Sequence, residues 1–204
     1  MSKGVENKAD MAQEPTDGQL VFRVRSGQAG AFDELVRRYQ RRASAVAYRL
    51  LNNRDDTMEV SQEAFLRAYD KLDKLDKPER FGPWLMRILS NLALNRRRSR
   101  SLRKMASLDA PHRGADGDGR ADWTDPPDAN MPTPLAQVVG ADMRELLARA
   151  IDALPEMQKQ ALIMFSLQKM PQKQVAEILD CSVEAVKWHV FTARKKLKDK
   201  LADL

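Results

Sequence analysis

One cysteine, Cys181, and two histidines, His112 and His189, are all that 204 residues contain of the commonest soft ligands. A lone thiol forms no intramolecular disulfide, which fits a reducing compartment and a cytoplasmic location. Cys181 reads better as a small buried filler than as a redox sensor. Such sparse ligands offer no zinc-site spacing, so no metal is expected. Glycine-rich phosphate loops following a strand are missing, as is the GxSxG nucleophile elbow. Carboxylates are plentiful, but none falls in an identifiable apolar pocket. No enzymatic activity and no cofactor are therefore expected. No apolar run reaches eighteen residues and the first residues lack a signal-peptide core, so no membrane insertion is expected. Alternating strand patterns are absent as well, which leaves an all-α protein.

Charge is what the chain has in quantity. Lys and Arg number 35 against 29 Asp and Glu, a net charge of +6 that favours a polyanionic partner. Its distribution is uneven. Arg96, Arg97, Arg98, Arg100, Arg103 and Lys104 form one block without an acid, and Lys187 to Lys200 hold a second. Between them the text from Ser107 to Pro134 is rich in Asp, Gly and Pro and poor in large apolar residues, the composition of a linker. The expected layout is a disordered leader (1–16), a helical domain (17–105), a flexible acidic linker (106–136) and a second helical domain (137–204).

The second domain carries the sharpest motif. Two apolar-periodic stretches flank the short step Asp180-Cys181-Ser182, as in a helix-turn-helix. The first starts near Pro171 and turns Val175, Ala176, Ile178 and Leu179 inward. Asp180 sits where the turn calls for a left-handed residue. Ser182 is a good N-cap. Beyond it Val183, Val186, Val190, Ala193 and Leu197 repeat at three- and four-residue steps and mark the core face. Glu184, Ala185, Trp188, Thr192 and Lys195 point the opposite way, with Lys187, Phe191 and Arg194 on one flank and His189 on the other. Such a helix suits entry into a DNA groove, its basic C-terminal half meeting phosphate. Leu154-Pro155 stops one supporting helix and starts another.

Helical periodicity continues through the first domain. Asp17 is placed to cap a short helix that Gly27 ends. Phe32, Leu35, Val36, Tyr39, Ala43, Val46, Ala47 and Leu50 then share one stripe. Asn52-Asn53 stops that helix, and Asp55 or Asp56 starts the next, with Val60, Ala64, Phe65, Ala68 and Leu72 inward. A Lys/Asp-rich loop from Lys71 to Arg80 leads to Gly82-Pro83, read as the start of a last helix whose inner stripe is Trp84, Leu85, Ile88, Leu89, Leu92 and Ala93.

These two halves, GQAGAFDELVRRYQRRASAVAYRLLNNRDDTMEVSQEAFLRAYDKL with FGPWLMRILSNLALNRRRSR, and LPEMQKQALIMFSLQKMPQKQVAEILDCSVEAVKWHVFTARKKL, together resemble the bacterial extracytoplasmic-function (ECF, group 4) sigma factors of RNA polymerase, over about two thirds of the chain. The resemblance implies an alternative sigma factor that binds core polymerase and promoter DNA and is held by an anti-sigma factor. It implies a polymerase-docking helix DDTMEVSQEAFLRAY, with Asp56, Glu59, Gln62, Glu63 and Phe65 as docking residues. The loop from Lys71 to Arg80 and the following helix are implied to read and open the minus-10 element. There Lys74, Lys77, Arg80, Arg87, Asn91, Asn95, Arg96 and Arg98 are the candidates, since captured single-stranded bases need a cationic groove and stacking platforms. Trp84 has two readings, platform or core, and its spacing with Ile88 favours core. Gly82-Pro83 stands where the family usually carries polar or basic residues.

For the minus-35 element in the major groove the implied residues are Ser182, Glu184, Ala185, Lys187, Trp188, His189, Thr192, Arg194 and Lys195. The acidic linker is implied to lie in a basic polymerase channel as a nucleic-acid mimic. Two other classes stay open at this level: a helix-turn-helix regulator that never binds core polymerase, and an adaptor that binds only proteins.

Overall fold

The computed structural model describes residues 14–28, 30–108, 143 and 146–202. Residues 1–13 of the expected leader, and 109–136 of the expected linker with His112, lie outside the described residues. Every regular element among the described residues is helical, as expected, and the helices form two domains. The first holds α1 (Asp17–Arg25), α2 (Gly30–Leu51), α3 (Arg54–Asp70) and α4 (Phe81–Leu108). The second holds α5 (146–152), α6 (Glu156–Leu162), α7 (Gln172–Leu179) and α8 (Val183–Ala202). A π-helical turn, Ile163–Leu167, continues α6. Helix α4 runs through residues 106–108, three positions into the stretch expected as linker.

Three boundaries differ from expectation, each for a local reason. Thr16, not Asp17, caps α1: its Oγ1 accepts from Gln19 N at 3.3 Å, and Gln19 Oε1 accepts from Thr16 N at 2.9 Å. This reciprocal box satisfies two otherwise unpaired donors and leaves Asp17 in the first turn. Asp17 then accepts from the Tyr39 hydroxyl and, at 3.1 Å, from Arg38 of α2. Asn52 is left-handed (φ 48°) and Asn53 caps α3 by accepting from Asp56 N at 2.8 Å, so that helix starts at Arg54. Asp55 and Asp56 instead fill its first turn, the position that suits acids at a helix N-terminus.

Helix α4 starts at Phe81, two residues before Pro83. A proline in a first turn removes no intrahelical bond, because those amides have no partner. Phe81 is fully buried and meets the rings of Phe32, Tyr39 and Trp84 at centroid distances of 6.2, 5.6 and 6.2 Å. Gly82 follows from that packing. A Cβ placed there would fall 2.6 Å from Tyr39 Oη and 2.8 Å from its Cε1.

The two domains share a core. Leu35, Val46 and Leu50 belong to the same apolar cluster as Met164, Val175 and Val186. Helix α7 packs on α4, and the π turn packs on α2. At this joint lies Lys159, with none of its surface exposed. Its ammonium donates to the Leu50 carbonyl at 2.9 Å and to the Asp152 carboxylate. Leu50 belongs to the last turn of α2, whose carbonyls have no intrahelical partner and favour a cation. Burial pulls the Lys159 pKa below its ordinary value, with the Asp152 hydrogen bond opposing.

Two outcomes are expected. Gly82→Ala should cost about 1–3 kcal/mol in urea unfolding, the range for overpacking. Burial, then the hydrogen bond to Asp17, raises the Tyr39 pKa far above its ordinary 10.0. Above about pH 10 the unfolded chain loses this proton while the folded chain keeps it, so stability should fall as pH rises further. In Tyr39→Phe that part of the alkaline slope should be missing from pH-dependent unfolding curves.

Candidate nucleic-acid interface

The loop after α3 is built from two 3-10 turns, Leu72–Lys74 and Pro78–Arg80. Leu72 and Leu75 are buried and anchor it; Lys74, Lys77 and Arg80 stay exposed. Arg25, from the last turn of α1, ties the loop down by donating to the Leu72 and Leu75 carbonyls at 2.6 and 2.7 Å. Sequence reasoning missed Arg25, which reads as an ordinary basic residue at a helix end. Its partners lie 47 and 50 positions away.

Beside this loop opens a cavity of about 280 Å³, lined by Lys74, Lys77, Arg80, Trp84, Arg87 and, from the second domain, Glu177. Trp84 packs against the core, the reading that its spacing with Ile88 favours, and it also lines the cavity. Asn91, Asn95 and Arg98 continue the exposed strip along α4 at three- and four-residue steps from Arg87. Arg96 turns away from that strip. It is half-buried, with Nε 3.0 Å from Asp56 Oδ1 and a second ion pair to Glu59, while Arg100 stands 3.7 Å from Asp56 Oδ2. Position 96 falls on the side of α4 that faces the first turn of α3, where the acids stand.

The acidic strip of α3 is thus partly neutralised within the chain. Glu63 pairs with Arg67 at 2.5 Å, Phe65 is half-buried against the core, and Gln62 is exposed. Sequence reasoning missed the apolar part of this face. Met58, Leu66 and Tyr69 are all exposed and flank Gln62 at helical spacing. Their signal was available: three large apolar residues stand outside the inward stripe.

The helix-turn-helix forms as expected. Asp180 is left-handed (φ 55°, ψ 49°), and Cys181 N donates to Ala176 O at 3.0 Å across the turn. Cys181 is half-buried, and burial raises its thiol pKa. Ser182 Oγ accepts from Ala185 N at 3.0 Å and caps α8. Glu184, Lys187, Trp188, Arg194 and Lys195 are exposed; Ala185, His189 and Thr192 are half-buried. His189 meets Trp188 edge-on, and its Nδ1 is enclosed without a partner among the described residues. Arg194 donates to Ser166 at 3.0 Å and lies 5.9 Å over the Phe165 ring, so it braces α8 on the π turn. Trp188 and Phe191, 58% and 69% exposed, stand about one turn apart on α8.

Salt bridges connect the two halves. Arg80 pairs with Glu177 at 3.2 Å, Arg87 with Asp180 at 2.9 Å, and Arg97 with Glu156 at 2.7 Å. Among the described residues no group of three or more His, Cys, Asp or Glu is placed to hold a metal ion, and no helix is long and apolar enough to cross a membrane.

Comparison with known proteins gives this arrangement a family. Residues 35–103 match Sigma-70 region 2, and residues 144–197 match Sigma-70, region 4. The chain is 31% identical over 195 residues to the ECF RNA polymerase sigma-E factor of Escherichia coli, covering 95% of this chain and 98% of that protein. It is 30% identical over 194 residues to the factor of the same name from Haemophilus influenzae, covering 95% and 100%. The chain belongs to the ECF sigma-70 family.

Solved structures share the sigma factor's fold. CnrH in complex with the cytosolic domain of CnrY superposes with a TM-score of 0.64 at 23% identity, over 93% of this chain and 99% of that one. The sigma factor RpoE of Bartonella quintana, in complex with the anti-sigma factor NepR, gives 0.61 at 20% identity, over 84% and 96%. In this sigma factor the loop and every lining residue of the cavity except Glu177 fall within region 2, and the helix-turn-helix falls within region 4.

Arg25→Ala should release the loop of the sigma factor. Hydrogen exchange of residues 72–80 should accelerate, and stability should drop by about 1.5–3 kcal/mol, the range for hydrogen bonds to a charged group.

Proposed function

We propose that the chain is an alternative sigma factor of group 4, which binds RNA polymerase core enzyme in the cytoplasm and directs sequence-specific transcription initiation. The observation that carries this reading is the cation-lined cavity beside Trp84, held by a loop that packs on α1 and joined in one chain to a capped helix-turn-helix. In it Lys74, Lys77, Arg80 and Arg87 draw the non-template strand by its phosphates, and Trp84 offers a surface to an unstacked base. Asn91, Asn95 and Arg98 extend the contact along α4. Arg96 acts through α3, by fixing Asp56 and Glu59.

Docking on the polymerase falls to Gln62, Glu63 and the Met58-Leu66-Tyr69 face, with Asp56 and Glu59 beside them. The minus-35 element is read by the N-terminal half of α8, where Glu184, Lys187 and Trp188 are the outward groups, and Lys195 meets phosphate. Promoter melting is driven by binding energy inside the polymerase complex, so the chain performs no catalysis and needs no cofactor. The acidic segment that follows α4, up to residue 136, would lie in a polymerase channel as a mimic of nucleic acid. An anti-sigma factor, the kind of partner in the NepR complex, restrains the free protein.

Adding the purified chain to sigma-free bacterial core polymerase on a genomic fragment library should give transcripts that start from a common promoter pair. Duplex binding with no transcript from any fragment would favour a regulator that never engages core. In the same assay Trp188→Ala should weaken or alter selection at the minus-35 element, by roughly 1–3 kcal/mol per lost base contact. Lys77→Ala should lower output from all promoters alike.

A further inference from the structure

A third basic stretch is left unused by promoter recognition. From Leu35 to Arg54 the chain carries six arginines, no lysine and no acid. Four of them, Arg38, Arg41, Arg42 and Arg49, line a cavity of about 820 Å³ with Ser44 of the same helix and Gln168, which follows the π turn. No carboxylate lines it. We propose that this cavity is a binding site for a compact polyphosphate anion, inorganic or carried by a nucleoside.

The pairing of charges sets this cavity apart. Arg80, Arg87, Arg96 and Arg97 each have a carboxylate within 3.2 Å. Arg38 is held by Asp17 and Glu34 at 3.1 and 3.2 Å, which fixes its side chain in the wall. Arg41 and Arg42 are exposed and have no acid or carbonyl partner among the described residues. The four cations stand at three-, four- and seven-residue steps, on one side of α2. At 1.5 Å per residue about 16 Å of helix holds them all. Like charges gathered around a concave wall repel one another and focus their field on a single anion.

The residue type points to phosphoryl oxygens. Arginine's planar fork meets two such oxygens at once, while lysine presents a single point charge. The basic run of α8, which the sigma-factor reading gives to duplex phosphate, is mostly lysine: Lys195, Lys196, Lys198 and Lys200 follow Arg194. The cations of α2 are arginine alone. Gln40, Ser44 and Gln168 add neutral donors for the remaining oxygens. The volume lies within the range of about 300–1,000 Å³ usual for small-ligand sites. Exposed Leu167 also lines the cavity and offers an apolar surface to a base. Cations gathered at one cavity suit a short anion, whereas a strand is met by a groove that tracks its backbone.

The test uses the full chain, with inorganic tripolyphosphate and ATP as probes. Titration calorimetry reads affinity, and thermal unfolding reads stabilisation by the probe. The double variant Arg41→Ala with Arg42→Ala removes the two unpaired guanidiniums from exposed positions, where Ala suits the helix. A control, Arg23→Ala with Arg54→Ala, removes the same charge from exposed positions outside the cavity. Wild type and control should bind tripolyphosphate alike and melt at a higher temperature in its presence. The double variant should bind it about tenfold more weakly or worse, the loss of at least one charge-assisted hydrogen bond, and should lose the thermal shift. Arg41→Lys with Arg42→Lys should fall between the two.

The two probes separate the sources. ATP bound as tightly as tripolyphosphate, or more so, supports the site as one for nucleoside polyphosphates; weaker ATP binding supports it as one for the inorganic chain. Equal tripolyphosphate affinity in the double variant and the control would overturn the site. So would a fluorescent mixed-sequence single strand whose binding falls as steeply as that of tripolyphosphate in the double variant, because Arg41 and Arg42 would then belong to a nucleic-acid track.

Discussion

The arrangement of the molecule turns on one ammonium group in an unusual place. Lys159 sits without solvent exposure where α2 of the first domain ends, bonded to the Leu50 carbonyl and to Asp152. Removing a charge from water costs several kcal/mol unless its partners are well placed. The joint therefore tolerates little sliding: a shift of the second domain would leave the ammonium buried and unpartnered. Yet a buried ion pair adds less net stability than a well-packed apolar group of similar size. When the domains part completely, water takes over the solvation of Lys159. Such a joint is exacting about register and modest in strength.

The same economy governs the surface charges. A chain with 35 Lys and Arg looks rich in free cations, but several of the most suggestive ones are occupied. Arg96 is bound to the acids of α3, Arg38 to Asp17 and Glu34, and Arg80, Arg87 and Arg97 to the second domain. The acids of α3 are likewise partly matched inside the domain. What α3 leaves exposed is a mixed face, with apolar Met58, Leu66 and Tyr69 around Gln62. Mixed faces of this kind bury apolar area in a complex while their polar rim sets register.

Legibility in the sequence followed the range of the interaction. The helix-turn-helix could be read because each of its parts is local: a left-handed residue, a serine cap three residues before the amide it satisfies, and a repeat of three and four. Helix caps were nearly right and wrong by a residue or two. At Thr16 and Asn53 the capping residue stands outside the first acid, and at Phe81 an aromatic extends a helix ahead of its proline. Long-range pairs could not be read. Arg25 with the loop, Arg87 with Asp180 and Lys159 with Leu50 join positions 47, 93 and 109 apart. Single arginines and lysines carry no periodic signal that names a distant partner. Gly82 falls between these cases, its presence evident and its reason, the Tyr39 ring, supplied by packing alone.

Asp180 illustrates how two demands narrow the choice at one site. Glycine would relax the left-handed turn, since any residue with a Cβ pays some steric cost there. Asparagine would suit the turn equally well. Neither would carry the charge that meets Arg87, and glutamate, which carries it, fits the turn poorly. A lineage in which only the turn mattered would be free to drift among three residues at this position. One that also needs the contact is held to aspartate, the side chain that meets both demands at once.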